Sequence, residues 1–242
     1  MLFQSVLKAV VFGALLIWSR DSWLGFFVFA GAACYFYFRK SFNAKKFSAS
    51  FLALVLGSFL SVKILPLGES GWLFSAAVFW SAMFFILLGI KNMVFIRRQP
   101  IYFFLNSFLF AGAFILFFIE KKSDFFALNY LLLGVAAYAL FKEFLVFNFE
   151  ISGDPARPMV FARKKLISLI FAFLTLQLVW AISILPIGFL NSASLALLMV
   201  LIFQDFSLHN WSGILERKII LRNATIFLIM SLIIFAFSRW AL

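Results

Sequence analysis

The sequence predicts an all-α polytopic membrane protein of about nine transmembrane helices, and three observations predict it. Hydrophobic residues make up 65% of the chain and charged residues only 12%. A soluble domain carries about 25% charged residues, so this chain lacks the polar groups to cover its own surface in water. Apolar runs of about 20 residues, the length a helix needs to cross a bilayer, follow one another with short connections. The basic residues, finally, collect in alternate connections.

The runs place helices near 2–19, 22–38, 47–65, 71–90, 100–119, 124–147, 166–186, 189–206 and 221–240. The first holds Lys8 and an apolar stretch to Ser19. Trp18-Ser19-Arg20 lacks the small residues of a signal-peptide cleavage site, so this run is expected to stay as a helix. The second ends at Arg39-Lys40, and the third follows Lys45-Lys46 and stops before Pro66. The fourth ends at Lys91 and the fifth opens on Pro100. The sixth leads into the longest connection, whose basic exit (Arg163-Lys164-Lys165) precedes the seventh. Pro186 closes the seventh, and Arg217-Lys218 precedes the ninth. Pro66, Pro100, Pro158 and Pro186 sit at or near expected ends, where a missing N–H does least harm. No length remains for a soluble domain, so residues 1–242 read as one transmembrane domain.

Sixteen of the 21 Lys and Arg fall in the N-terminus and the second, fourth, sixth and eighth connections; Arg20, Lys63, Lys121, Lys122 and Arg239 fall elsewhere. Cytoplasmic loops carry the excess of Lys and Arg. The split therefore puts the N-terminus in the cytoplasm and the C-terminus outside, with an odd span count. The net charge of +12 belongs to these helix ends and to anionic lipid rather than to nucleic acid. Cys34 is the single cysteine, so disulfides and cysteine-rich metal sites are excluded. The 38 phenylalanines read first as lipid-facing bulk. An aromatic lining for an isoprenoid or carbocation is the sharper alternative.

Ile64-Leu65-Pro66-Leu67-Gly68 returns as Ile184-Leu185-Pro186-Ile187-Gly188. Gly31-Ala32-Ala33, ending in Arg39-Lys40, resembles Gly134-Val135-Ala136-Ala137, ending in Lys142-Glu143. Both matches relate about 22–120 to about 124–241. Four spans per copy would make the repeat parallel, as in some transporters.

Nine acidic residues are present, and none is expected at mid-membrane, which speaks against a proton-driven carrier. The sixth connection, Lys142 to Lys165, is where chemistry is expected. Glu143 and Glu150 are seven apart and share a face of a continuing helix, and Ser152-Gly153-Asp154-Pro155 breaks that helix. Three carboxylates, Glu143, Glu150 and Asp154, thus gather near Lys142 and Arg157. Mg²⁺ binds through one or two carboxylates plus substrate phosphates; salt bridging at a helix end is the plainer reading. In Ile96-Arg97-Arg98-Gln99-Pro100, adjacent arginines suit a phosphate group or simple anchoring. Asp205 and His209, four apart, share a helical face without a third ligand in sequence. His209 reads as an interfacial residue beside Trp211. No Ser-His-Asp set, phosphate loop or His-Glu-x-x-His occurs.

The sixth connection and the span count resemble the UbiA-type superfamily of intramembrane prenyltransferases. Its members have nine helices, an inside N-terminus, and Asp-rich motifs after the second and sixth helices. The second motif has the form R-E-x-x-K-D-x-x-D-x-x-G-D. Here Lys142-Glu143 matches its opening pair and Gly153-Asp154 its closing pair, with Glu150 at the inner aspartate. Val146 and Phe147 replace the lysine and first aspartate. Ile96-Arg97-Arg98-Gln99-Pro100 looks like the family's L-K-R-x-P.

The resemblance implies a UbiA-like helical bundle that binds membrane lipid and an isoprenyl diphosphate. Arg97, Arg98, Lys142 and Arg157 would face the diphosphate, and Glu143, Glu150 and Asp154 would hold Mg²⁺. It also implies transfer of the prenyl group to a lipophilic acceptor. The second connection, Arg39 to Lys46, departs from the family: it holds no carboxylate, and only Asn43 stands as a relic of the first motif. A non-catalytic lipid-binding or scaffolding protein, or a small-solute transporter with Asn106, Asn129 and Gln177 in its spans, are the alternatives. The sequence leaves substrate, acceptor and oligomeric state open.

Overall fold

The computed structural model describes residues 2–20, 22–39, 47–64, 70–92, 95, 98–119, 126–152, 160–211 and 217–238. Among them are nine α-helices and no strand: α1 (Leu2–Trp18), α2 (Trp23–Phe38), α3 (Ser48–Ile64), α4 (Ser70–Lys91), α5 (Arg98–Ile119), α6 (Phe126–Ser152), α7 (Val160–Ile184), α8 (Phe189–Trp211) and α9 (Arg217–Phe237). The chain is all-α, as its apolar runs predict. Six helices, α4 to α9, are long and apolar enough to cross a membrane. α1, α2 and α3 are apolar but hold only 17, 16 and 17 residues. At 1.5 Å per residue they reach about 25 Å, a little short of the ~30 Å hydrocarbon core.

α6 runs to Ser152, past the end expected at 147. Phe147, Phe149 and Ile151 continue the apolar pattern beyond Lys142-Glu143, and no breaker intervenes before Gly153. α8 likewise continues to Trp211 and α9 begins at Arg217. The sequence reading stopped short where polar residues enter the pattern, at Asn148 and Glu150 in α6, at Ser207 to Asn210 in α8 and at Arg217-Lys218 in α9.

Large apolar side chains point outward along the helices, among them Phe3, Trp23, Phe74, Leu131, Phe173 and Phe237. That is the pattern of helices solvated by hydrocarbon. Hydroxyls obey the same constraint by bonding within their own helix. Ser81 Oγ donates to Ala77 O at 2.7 Å, Ser107 to Phe103 O at 2.8 Å and Thr175 to Phe171 O at 2.7 Å.

The chain divides into two compact units, residues 1–109 and 110–242. In the first, α1 packs closely on α4. Gly13 permits the approach: a Cβ there would collide with Ser81 Oγ. Phe12 stacks on Phe84 at 4.4 Å and meets Phe29 at 4.9 Å, joining α1, α4 and α2. Trp80 lies over Gly57, where a Cβ would come within 3.1 Å of its ring, and its Nε1 donates to Ser61 Oγ at 2.7 Å. Lys63 at the end of α3 donates to Arg20 O after α1, while Lys91 at the end of α4 donates to Tyr37 O near the end of α2. Successive helices therefore run in opposite directions.

In the second unit, the latter half of α5 and α6 to α9 follow one another antiparallel. One layer of rings ties four of them: Phe110 to Phe141 at 4.9 Å, Phe141 to Phe171 at 5.5 Å and Phe171 to Phe203 at 5.3 Å. Gly134 faces Leu176, and the Tyr130 hydroxyl donates to the Leu176 carbonyl. α9 stands apart: 6% of its span is buried, against 44% for α6. Of the two repeat segments, Ile184 to Gly188 closes α7 and precedes α8. Leu65 to Gly68 lies outside the described residues.

Candidate functional site

Hydrocarbon is a poor solvent for ionisable groups, so such groups inside a helical membrane protein mark function by default. Among the described residues of the second unit they concentrate at one end. α6 finishes there and α7 begins; α8 finishes there and α9 begins. The ring contacts and the Gly134–Leu176 approach set the register of the antiparallel pairs. It brings Glu143, Ser168, Asp205 and Arg222 within about one helical turn of a common level.

Glu143 is 8% exposed and Lys164 2% exposed, on the packed pair α6 and α7. Asn148 and Ser168 are buried on the same two helices. Each donates to its own helix, Asn148 Nδ2 to Phe144 O at 2.9 Å and Ser168 Oγ to Lys164 O at 2.8 Å. Isolated charges at such positions would cost several kcal/mol each.

Asp205 organises the α8–α9 corner. Its Oδ2 accepts from Arg222 Nη2 at 2.9 Å and from Asn223 Nδ2 at 2.7 Å. His209, one turn along, sets Nδ1 2.9 Å from the Asp205 backbone oxygen and 3.4 Å from its Oδ1. A carbonyl oxygen only accepts, so Nδ1 carries the proton. Asn223 is buried, although α9 as a whole is not. This corner is the polar clasp of an otherwise lipid-facing helix. Asp205→Ala removes the acceptor of both donors. Hydrogen bonds to charged groups contribute about 1.5–3 kcal/mol, and Arg222 is half exposed, so a loss of about 1–2 kcal/mol is expected. It should appear as a melting temperature a few degrees lower, with Arg217→Ala as the unaffected control. Equal losses in both variants would remove the clasp.

The expected site residues fare unevenly. Glu143 faces the interior, whereas Lys142, its chain neighbour, is exposed with Nζ 5.9 Å from the Tyr138 ring centroid. The two point to different faces because neighbouring helical residues are about 100° apart. Glu150 lies on α6, so the helix that relates it to Glu143 is present. Its side chain, and Arg97, Asp154 and Arg157 altogether, lie outside the described residues. Arg98 begins α5 and is half buried. Among the described residues no three His, Cys, Asp or Glu gather as metal ligands. Of the polar residues expected inside spans, Asn106 is fully buried, Asn129 half buried and Gln177 exposed.

The Asp205–His209 pairing was legible from its spacing. The role of Arg222 and Asn223 was not, because Arg222 was counted among the basic charges of the eighth connection. A buried asparagine in an apolar run was the available signal. Gln204, next to Asp205 in the chain and fully buried, was also missed.

The chain matches no family model, no curated protein and no solved structure. The likeness to the UbiA type therefore rests on the motif residues alone.

Proposed function

We propose that this chain crosses the bilayer nine times, N-terminus in the cytoplasm, and binds the phosphate-bearing head of an isoprenoid or lipid-linked substrate at the cytoplasmic end of its helices. The observation that carries this reading is the polar end of the second unit. Glu143, Lys164, Asp205, His209 and Arg222 lie there, on helices otherwise almost wholly apolar. The motif residues of the sixth connection belong to the same end in sequence.

In its enzymatic form the reading is a divergent UbiA-type prenyltransferase. The C–O bond to diphosphate breaks, the diphosphate leaves with the electron pair, and a lipophilic acceptor attacks the allylic cation and releases a proton. Arg97, Arg98, Lys142 and Arg157 are the candidate diphosphate contacts, with Glu143, Glu150 and Asp154 as candidate Mg²⁺ ligands. Of the three carboxylates only Glu143 has a described side chain, and one carboxylate does not make a magnesium site. A second, non-catalytic reading, lipid binding or scaffolding, draws on the carboxylate-free second connection and on Lys142 facing away from Glu143.

Purified protein with labelled prenyl diphosphate, Mg²⁺ and membrane lipid separates the two. The enzymatic form expects prenylated lipid, lost in Glu150→Ala/Asp154→Ala. Absent turnover together with unchanged diphosphate binding in that variant removes the enzyme and leaves the lipid-binding protein. Reporter fusions that found the N-terminus outside would overturn both.

A further inference from the structure

The first unit holds a second charged feature that this reading does not use. Lys91, the last residue of α4, is 7% exposed. Its ammonium donates to the Tyr37 carbonyl and sits 3.6 Å from the centroid of the Tyr37 ring. Tyr37 is itself fixed, stacked on Phe51 at 4.3 Å. Lys8, on α1, is half buried and close enough that its charge repels that of Lys91. Phe12 against Phe84 and Gly13 against Ser81 lock the helices that bring them together. Two like charges are thus held at one end of a tightly packed helix pair.

The sequence around them adds charge of the same sign. Arg39, Lys40, Lys45, Lys46, Arg97 and Arg98 flank the connections from α2 to α3 and from α4 to α5. Asp21 and Glu69 are the only Asp or Glu in residues 1–109, and they fall in sequence between α1 and α2 and between α3 and α4. Anchoring alone asks only that cations reach the interface. It does not ask that one be fixed over a tyrosine ring with a second beside it. The interior partners of Lys91 are dipoles and a π-face, which stabilise an ammonium but leave its charge in place.

We propose that Lys8 and Lys91 form an anion site for a phosphate group, the charge-bearing part of an anionic phospholipid at this depth. Lys8 is the less buried of the two, and Lys91 is the fixed charge behind it. A phosphate has several oxygens to share between two ammonium groups, and its negative charge offsets both. Basic pockets between transmembrane helices take lipid head groups in this way. This site lies in the first unit and does not rest on the substrate reading of the second, so failed prenyl transfer leaves it standing.

The test is a melting-temperature titration of the delipidated full chain in neutral detergent, at fixed ionic strength. Phosphatidylglycerol, phosphatidylcholine and inorganic phosphate are added in separate arms. Phosphatidylglycerol is expected to raise the midpoint and phosphatidylcholine not to. Lys8→Gln should weaken the phosphatidylglycerol response about fivefold, the effect of one lysine near a charged head group. Lys63→Gln, at the opposite end, should leave it unchanged. If inorganic phosphate reproduces the response with the same Lys8 dependence, the site takes free phosphate as well, and the phosphate chemistry stands. Lys91→Met should abolish the response where it folds; Lys8→Gln decides the matter where it does not. Equal responses in Lys8→Gln, Lys63→Gln and the unaltered chain, or no response to either anion, would overturn the site.

Discussion

Phe141→Ala is expected to be among the most destabilising single changes in the second unit. Phe141 is fully buried and touches Phe110 on one side and Phe171 on the other, the middle of the ring layer through α5, α6, α7 and α8. Truncating such a residue in a water-soluble core costs about 3–5 kcal/mol, part transfer and part cavity. In a bilayer the unfolded reference keeps the ring among lipid tails, so most of the transfer part falls away while the packing part remains. About 2–3 kcal/mol is therefore expected, read as a lower midpoint of denaturation in detergent. Phe141→Leu, which keeps more of the volume, should recover more than half. Phe173→Ala, on the exposed face of α7, should stay within about 0.5 kcal/mol. Matching losses at Phe141 and Phe173 would mean that the ring layer holds nothing together.

Gly13→Leu is expected to separate α1 from α4 and leave little monodisperse protein. The first added atom already collides with Ser81 Oγ, and that hydroxyl is held on Ala77 O at 2.7 Å. Overpacking costs about 1–3 kcal/mol when neighbours can shift, and close helix backbones in membranes shift poorly. Gly13→Ala isolates the contact. It should be destabilising alone and largely restored by Ser81→Ala, because the added methyl then meets a Cβ 3.4 Å away instead of the hydroxyl. A double-mutant cycle measures this coupling, and strict additivity would show that the helices do not depend on the approach.

Each helix was legible because its cause is local. An apolar run in hydrocarbon must satisfy its backbone within the segment, so run lengths, prolines and charged flanks mark the rods. Errors fell at ends where charge and helix overlap. α6 runs through Glu150 to Ser152 where its end was expected at 147, and α9 opens on Arg217-Lys218 where its start was expected at 221. Inward faces were not legible. Phenylalanine fills Phe141, buried between two helices, and Phe173, exposed, alike. A soluble helix would have betrayed its face through an apolar stripe; here both faces are apolar.

The sequence alone determined an all-helical chain of apolar rods with its basic residues gathered in alternate connections, since those properties follow from one segment meeting one solvent. Only the tertiary structure decided that Gly13 seats α1 on α4, that four rings join α5 to α8, and that Asp205 clasps α9. The physical reason is that lipid and protein interior are equally oily. Burial then leaves no mark in composition, and packing partners are chosen by shape and by a few hydrogen bonds.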